Sequence, residues 1–232
     1  MRFAKLFARL LATGLALAAL TTHAEPRAGV DFDYLSSAKP TDAPGKIEVI
    51  EFFWYGCPHC FHLDPKVEAW VKTLPKDVSF RREHAMWDGR SDMTGHAKIF
   101  IALKALNQVN ALTPKVFEAV QQSKIELRDE KVLFDWVAKQ GVNRAQFEAA
   151  YKSFSAQSQF TRASQLTRDY QIDGVPTFII NGKYKTSPSK TQSEDKLFVV
   201  MNELIAKERA GLKPAKAEAK PAVAVAAEKK KS

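Results

Sequence analysis

The hydrophobic pattern of this 232-residue chain changes period several times. Glu48-Val49-Ile50-Glu51-Phe52-Phe53-Trp54-Tyr55 is rich in β-branched and aromatic residues and closed by Gly56, which predicts a strand. A helical period follows, with Phe61, Leu63, Val67, Trp70 and Val71 on one face. Pro58 suits its first turn, where the missing N–H has no partner anyway, whereas Pro65 removes one backbone bond and is expected to kink it. After Leu74-Pro75, the run from Val78 to His84 reads as a second strand. Strand, helix, strand implies parallel pairing through a right-handed crossover.

From about Gly89 to Tyr170 one helical pattern succeeds another. Thr113-Pro114 predicts a helix start with Val116, Phe117 and Val120 on one face, and Asp129 predicts another carrying Val132, Leu133, Trp136 and Val137 up to Gly141. Asn143 with Gln146 forms a capping-box pattern, followed at helical spacing by Phe147, Ala150 and Phe154, and these aromatic residues are expected in the core. The strand pattern returns from Val175 to Ile180, Asn181-Gly182 predicts a hairpin turn into Lys183-Tyr184-Lys185, and Leu197 to Ile205 forms a last amphipathic helix. The order predicts an α/β fold with a helical segment inserted midway.

Residues 1–24 have the form of a secretory signal peptide: Arg2, Lys5 and Arg9 precede an apolar run from Leu10 to Leu20, and Thr22 and Ala24 are the small residues of a cleavage site after Ala24. An uncleaved anchor is the alternative, but the run is shorter than the roughly 18 apolar residues a membrane span needs. Export would place the mature chain in an oxidising compartment. The net charge of +9 includes three positive charges in this leader and a net four in the tail 213–232, which leaves +2 for the middle. So neutral a body makes no electrostatic case for nucleic-acid binding. The Ala/Lys-rich tail lacks aromatic residues and is expected to be a disordered, solvated extension, with contact to anionic lipid or nucleic acid as the alternative.

Both cysteines fall in Cys57-Pro58-His59-Cys60. So short a loop gives a structural disulfide little of its usual benefit. Haem attachment requires a histidine where Phe61 stands, and a zinc site normally needs four ligands, for which only His59, His62 and scattered histidines are at hand. A redox-active pair is the remaining reading, with no metal. At a helix N-terminus, unpaired N–H groups and the positive dipole end favour a Cys57 thiolate. His59 is placed to donate to that sulfur or to carry positive charge beside it, which lowers the thiol pKa further and makes the disulfide a better oxidant. Cys57, nearer the helix start and solvent, is the sulfur a substrate thiolate is expected to attack. Cys60 then closes the disulfide again on reoxidation.

Glu51-Phe52-Phe53, Cys57-Pro58-His59-Cys60 and Gly174-Val175-Pro176-Thr177, behind a signal peptide, resemble the DsbA family of periplasmic thiol:disulfide oxidoreductases. The likeness spans residues 32–206. It implies a thioredoxin fold at 25–87 and 173–212, an inserted helical domain at 88–172, and no cofactor beyond the redox-active disulfide. It also implies a monomer in the periplasm that donates disulfides to newly exported cysteine-containing proteins and is reoxidised by a quinone-linked membrane partner of the DsbB type. By the same resemblance Glu51, six residues before Cys57, lies beneath the disulfide and relays protons to the inner thiol; the alternative is a solvated strand-end acid paired with Arg81 or Arg82. Val175-Pro176 would be a cis bond, with Pro176 facing the Cys57 sulfur and the Val175 backbone pairing with an extended substrate; a simple strand-start proline is the alternative. Leu63, Val67, Met86 and Trp87 are the candidate walls of an apolar groove, although core packing explains each equally well. His62, His84 and His96 read as surface or packing residues. A disulfide isomerase or reductase of related fold is a competing function, but the chain has no room for the dimerisation domain that isomerases usually add. A non-catalytic binding module or chaperone would have no use for the intact Cys57 and Cys60.

Overall fold

A computed structural model describes residues 25–212. The leader 1–24 and the tail 213–232, with the cleavage and disorder expected of them, lie outside the described residues. The strands are β1 (Asp33–Tyr34), β2 (Ile47–Phe53), β3 (Val78–His84), β4 (Thr177–Ile180) and β5 (Tyr184–Thr186). The helices are α1 (Pro58–Val71), α2 (Ser91–Ala105), α3 (Val109–Gln121), α4 (Glu130–Lys139), α5 (Arg144–Tyr151), α6 (Phe154–Asp169), α7 (Pro188–Thr191) and α8 (Glu194–Leu212).

The strands form one sheet in the order β1-β5-β4-β2-β3, in which β2 and β3 are parallel and every other pair antiparallel. Every residue of β2 is buried, because both faces of this central strand are covered. On one face Ile47 and Val49 join Phe178 and Ile180 against Leu63, Val67 and Trp70 of α1 and Leu197, Met201 and Leu204 of α8. On the other, Ile50, Phe52 and Ile179 meet Tyr170, Ile172 and Leu35. Each fully buried aliphatic side chain contributes about 1.5–3 kcal/mol.

Helices α2 to α6 form the insertion, which grips the chain at the end of β2. Phe53 and Tyr55 pack on Phe100 and Phe117, the Tyr55 hydroxyl lies 3.2 Å from Thr113 Oγ1, and Gln121 Nε2 donates to the Tyr55 carbonyl at 2.7 Å. The expected caps Asp129 and Asn143 are present, and Ser153 caps α6 in the same way, each accepting from a backbone N–H three residues on.

Two local expectations change. Pro114 lies inside α3, which begins at Val109, because the Leu112 N–H already closes a turn on the Gln108 carbonyl ahead of the proline, and the ring costs only one backbone bond. Pro65 lies inside α1, which continues past it to Val71. Phe154 is 87% exposed: it opens α6 behind the Ser153 cap, so its apparent period with Phe147 runs across the end of one helix into the next.

Candidate active site

Cys57 is the N-cap of α1, with extended backbone angles of −90° and 116°, and its N–H donates to the Trp54 carbonyl at 2.9 Å. At Gly56, in the turn into α1, a Cβ would overlap the Trp54 indole, so that a larger residue there would have to move the ring. Pro58 occupies the first turn, as its missing N–H allows. Both cysteines are free thiols, Cys57 being 7% exposed and Cys60 sealed. Antiparallel pairing of β4 with β2 carries the segment before β4 to the same spot, where Cys57 Sγ lies 3.4 Å from the Val175 carbonyl oxygen. The Val175-Pro176 bond is cis.

The two sulfurs have opposite electrostatics. A hydrogen bond from the Cys60 thiol, with backbone N–H groups of Cys60 and His59 and the His59 charge as smaller causes, holds Cys57 down to about 6 against the cost of its burial. Burial first, then the neighbouring Cys57, pushes Cys60 well up. His59 is exposed, and its side chain contributes less to the Cys57 thiolate than the sequence suggests.

Glu51 is 2% exposed and is not the solvated strand-end acid of the alternative. Its β3 register partner, Arg82, donates to it at 2.7 Å. The same guanidinium donates to Asp64 at 2.8 Å and to Glu68 at 2.7 Å, both on α1. Desolvation raises Glu51 and lifts Asp64 to about 6. The sequence offers Arg82 as a partner for Glu51, but that it also holds Asp64 and Glu68 escapes a sequence reading, although the spacing of Cys60, Asp64 and Glu68 by four residues already places them along one helix face.

The groove residues divide. Leu63 and Val67 point into the core between α1, the sheet and α8 and form no groove wall. Met86 is buried in a second cluster, while half-buried Trp87 donates its indole N–H to the Ile172 carbonyl. Half-buried Trp54, Phe160 and Val175 join Trp87 around that cluster and supply the apolar side of the site. Beside Pro176, a cleft of about 460 Å³ is lined by polar and apolar groups together, among them His59, Val175, Thr177, Pro188, Ser189 and Glu194. His62 is exposed, whereas His84 and His96 are packing residues of the insertion junction. Among the described residues no group of three His, Cys, Asp or Glu has the arrangement of a metal site.

A dithiol at a helix N-terminus beside the central strand, faced by a cis-proline loop, defines a thiol:disulfide oxidoreductase of thioredoxin fold, here with an all-helical insertion. The family of the DSBA-like thioredoxin domain matches residues 48–197, and the chain belongs to it. It is 44% identical over 184 residues to a thiol:disulfide interchange protein DsbA of Burkholderia cepacia, covering 79% of this chain and 84% of that one. The crystal structure of Pseudomonas aeruginosa DsbA superposes with a TM-score of 0.76 at 35% identity, over 80% of this chain and 95% of that one. Reduced DsbA1 from Neisseria meningitidis gives 0.72 at 30% identity, over 83% and 100%.

Proposed function

We propose that this enzyme donates a Cys57–Cys60 disulfide to cysteine-containing proteins newly exported to the periplasm, and that a quinone-linked membrane oxidase of the DsbB type restores it. The observation that carries the direction of transfer is the divergence of the two thiols, Cys57 down to about 6 and Cys60 well above its ordinary value. A substrate thiolate attacks Cys57 Sγ, the sulfur–sulfur bond breaks, and its electron pair leaves with Cys60. That buried sulfur takes up a proton, for which Glu51 is the nearby buried acid. A second substrate thiolate then attacks the substrate sulfur held on Cys57 and displaces Cys57 as a stable thiolate, a good leaving group at its low pKa. An extended substrate segment pairs with the Val175 backbone, whose carbonyl already faces Cys57 Sγ, while Pro176 presents no N–H to compete. The signal-peptide form of residues 1–24 supports the compartment.

The test uses the purified mature protein and a reduced dithiol peptide. Stoichiometric oxidation is expected, with none after Cys57→Ser and trapped mixed disulfides on non-reducing gels after Cys60→Ser. Oxidation by the Cys57→Ser protein would overturn the mechanism. In cells lacking the membrane oxidase the pair should accumulate reduced, as read by alkylation; a pair that stays oxidised during active secretion would refute the dependence on that partner.

A further inference from the structure

Cys60 must gain a proton each time the disulfide opens and lose it each time the disulfide closes, yet its sulfur is sealed from solvent. Along the α1 face that carries it stand Asp64 and Glu68, one and two turns further on. Their side chains are 6% and 27% exposed, against 2% for Glu51 and Arg82, so exposure rises along the series from Glu51 through Asp64 to Glu68. One guanidinium binds all three carboxylates through three different nitrogens at 2.7 to 2.8 Å, which holds the acids side by side around its edge. A single cation cannot neutralise three carboxylates in so dry a place, and the cluster is relieved by holding a proton.

We propose that Glu68 is the solvent-side end of a proton path that runs from Cys60 through Glu51 and Asp64, with Arg82 as the fixed brace that keeps the three acids in line. This rests on the disulfide-donor reading above. In substrate oxidation, the Cys57–Cys60 bond breaks as the bond from Cys57 to the substrate forms. Cys60 leaves with the electron pair and takes the resident proton from Glu51. Asp64 then reprotonates Glu51, and Glu68 returns a proton to Asp64 from water. In reoxidation the Cys57 thiolate attacks a disulfide of the oxidant and is joined to one of its sulfurs, the other leaving as a thiolate. The Cys60 S–H bond then breaks, Cys60 attacks Cys57 Sγ, and the Cys57–oxidant bond breaks as the Cys57–Cys60 bond forms. The oxidant sulfur held on Cys57 leaves as the second thiolate, and the Cys60 proton travels outward by the same steps. Glu68 is a positioning and exchange residue and touches neither sulfur. The charged and titratable groups around the cluster are Glu51 on β2, Arg82 on β3, Asp64, Glu68 and Cys60 on α1, and Tyr55 beyond the end of β2. Glu68 repels charge on both Glu51 and Asp64, which supports their acting as one unit.

Glu68→Gln tests the path, because the amide still accepts from Arg82 but exchanges no proton. Single-turnover oxidation of the dithiol peptide by the full mature protein should slow about tenfold at pH 7, less than for a group that meets the reacting sulfur directly. The Asp64 carboxyl, followed by carbon NMR, should titrate below its value of about 6, because a neighbouring negative charge is gone. The Cys57 thiolate titration should not move, and Glu68→Asp, which retains an exchangeable acid, should recover most of the rate. A Glu68→Gln pH–rate profile that superposes on the native one overturns the proposal, as does an equal loss in Glu68→Asp. A native protein that oxidises no peptide refutes the donor function instead. If Glu68→Gln does not fold, the native protein decides: its single-turnover rate should fall in heavy water, and an unchanged rate there overturns the path.

Discussion

At the scale of single residues, the Cys57 thiolate owes most to a neighbour three positions away. The Cys60 S–H is its leading hydrogen-bond donor, ahead of the backbone N–H groups and the His59 charge. Because the folded value is depressed from 9 to about 6, the stabilisation of the reduced protein is complete only above the ordinary thiol pKa and is lost as pH falls through 6. At pH 7 it amounts to roughly 1 kcal/mol after solvent screening, or about 20 mV of oxidising power. Cys60→Ala should therefore raise the Cys57 pKa more than His59→Leu does, whereas Cys60→Ser, which keeps a donor, should hold it low. Ultraviolet absorbance of the thiolate against pH measures all three, and a larger effect from His59→Leu would return the leading role to the imidazole.

Among the elements, the β4–β5 turn is tightly constrained. Asn181 and Gly182 adopt φ of 50° and 63°, a left-handed pair at the centre of the turn that the Lys183 N–H closes on the Ile180 carbonyl at 3.0 Å. A methyl group on Gly182 would overlap the carbonyl oxygen of Lys39, whose own N–H donates to the Gly182 carbonyl at 2.8 Å. Gly182→Ala should lower stability by more than the ~1–2 kcal/mol of a left-handed non-glycine residue alone, because the Lys39 segment must also move. Thermal unfolding beside the native protein reads the loss, and an unchanged midpoint would mean that the segment shifts freely. The same turn was legible in advance from Asn181-Gly182, as were the caps at Asp129 and Asn143, because turn and cap chemistry is local. The start of α3 was not legible, because Pro114 is compatible with a first turn and, at the loss of one bond, with a later one.

Across the whole molecule, the insertion is fastened to the dithiol end of the sheet through buried histidines. His96 Nδ1 accepts from Trp54 Nε1 at 3.1 Å, and His84 stands between Phe53, Tyr55 and Phe100. Burial, with the Arg128 charge second, depresses His96 to about 4, and burial depresses His84 to about 3. A histidine held neutral in the fold contributes stability that is present above its unfolded pKa of 6.5 and is lost as pH falls toward the folded value. Asp64, raised to about 6, acts in the opposite sense, its contribution being lost as pH rises from 3.8 through 6. Comparison with His96→Gln, which keeps an acceptor for Trp54, isolates the histidine. Relative to native, the variant should gain on the order of 3 kcal/mol between pH 7 and pH 4 in urea unfolding. A difference independent of pH would show that His96 already titrates normally in the fold.

Period, capping and short motifs are properties of neighbouring residues, and so the strand-helix-strand frame, the helical insertion, the redox pair at a helix start and the family could be read directly from the chain. Tertiary structure alone decided what those positions meet. An apolar stripe states that Leu63 and Val67 are covered but not by what, and the sheet and α8 took both from the groove. An isolated acid in a central strand needs a partner, and the parallel register of β2 with β3 chose Arg82 over Arg81 and added Asp64 and Glu68 from α1. The contact of Cys57 with Val175 spans 118 positions and exists because strand order sets β4 beside β2. Such contacts arise from the packing of whole elements, and no local pattern encodes the distance between them.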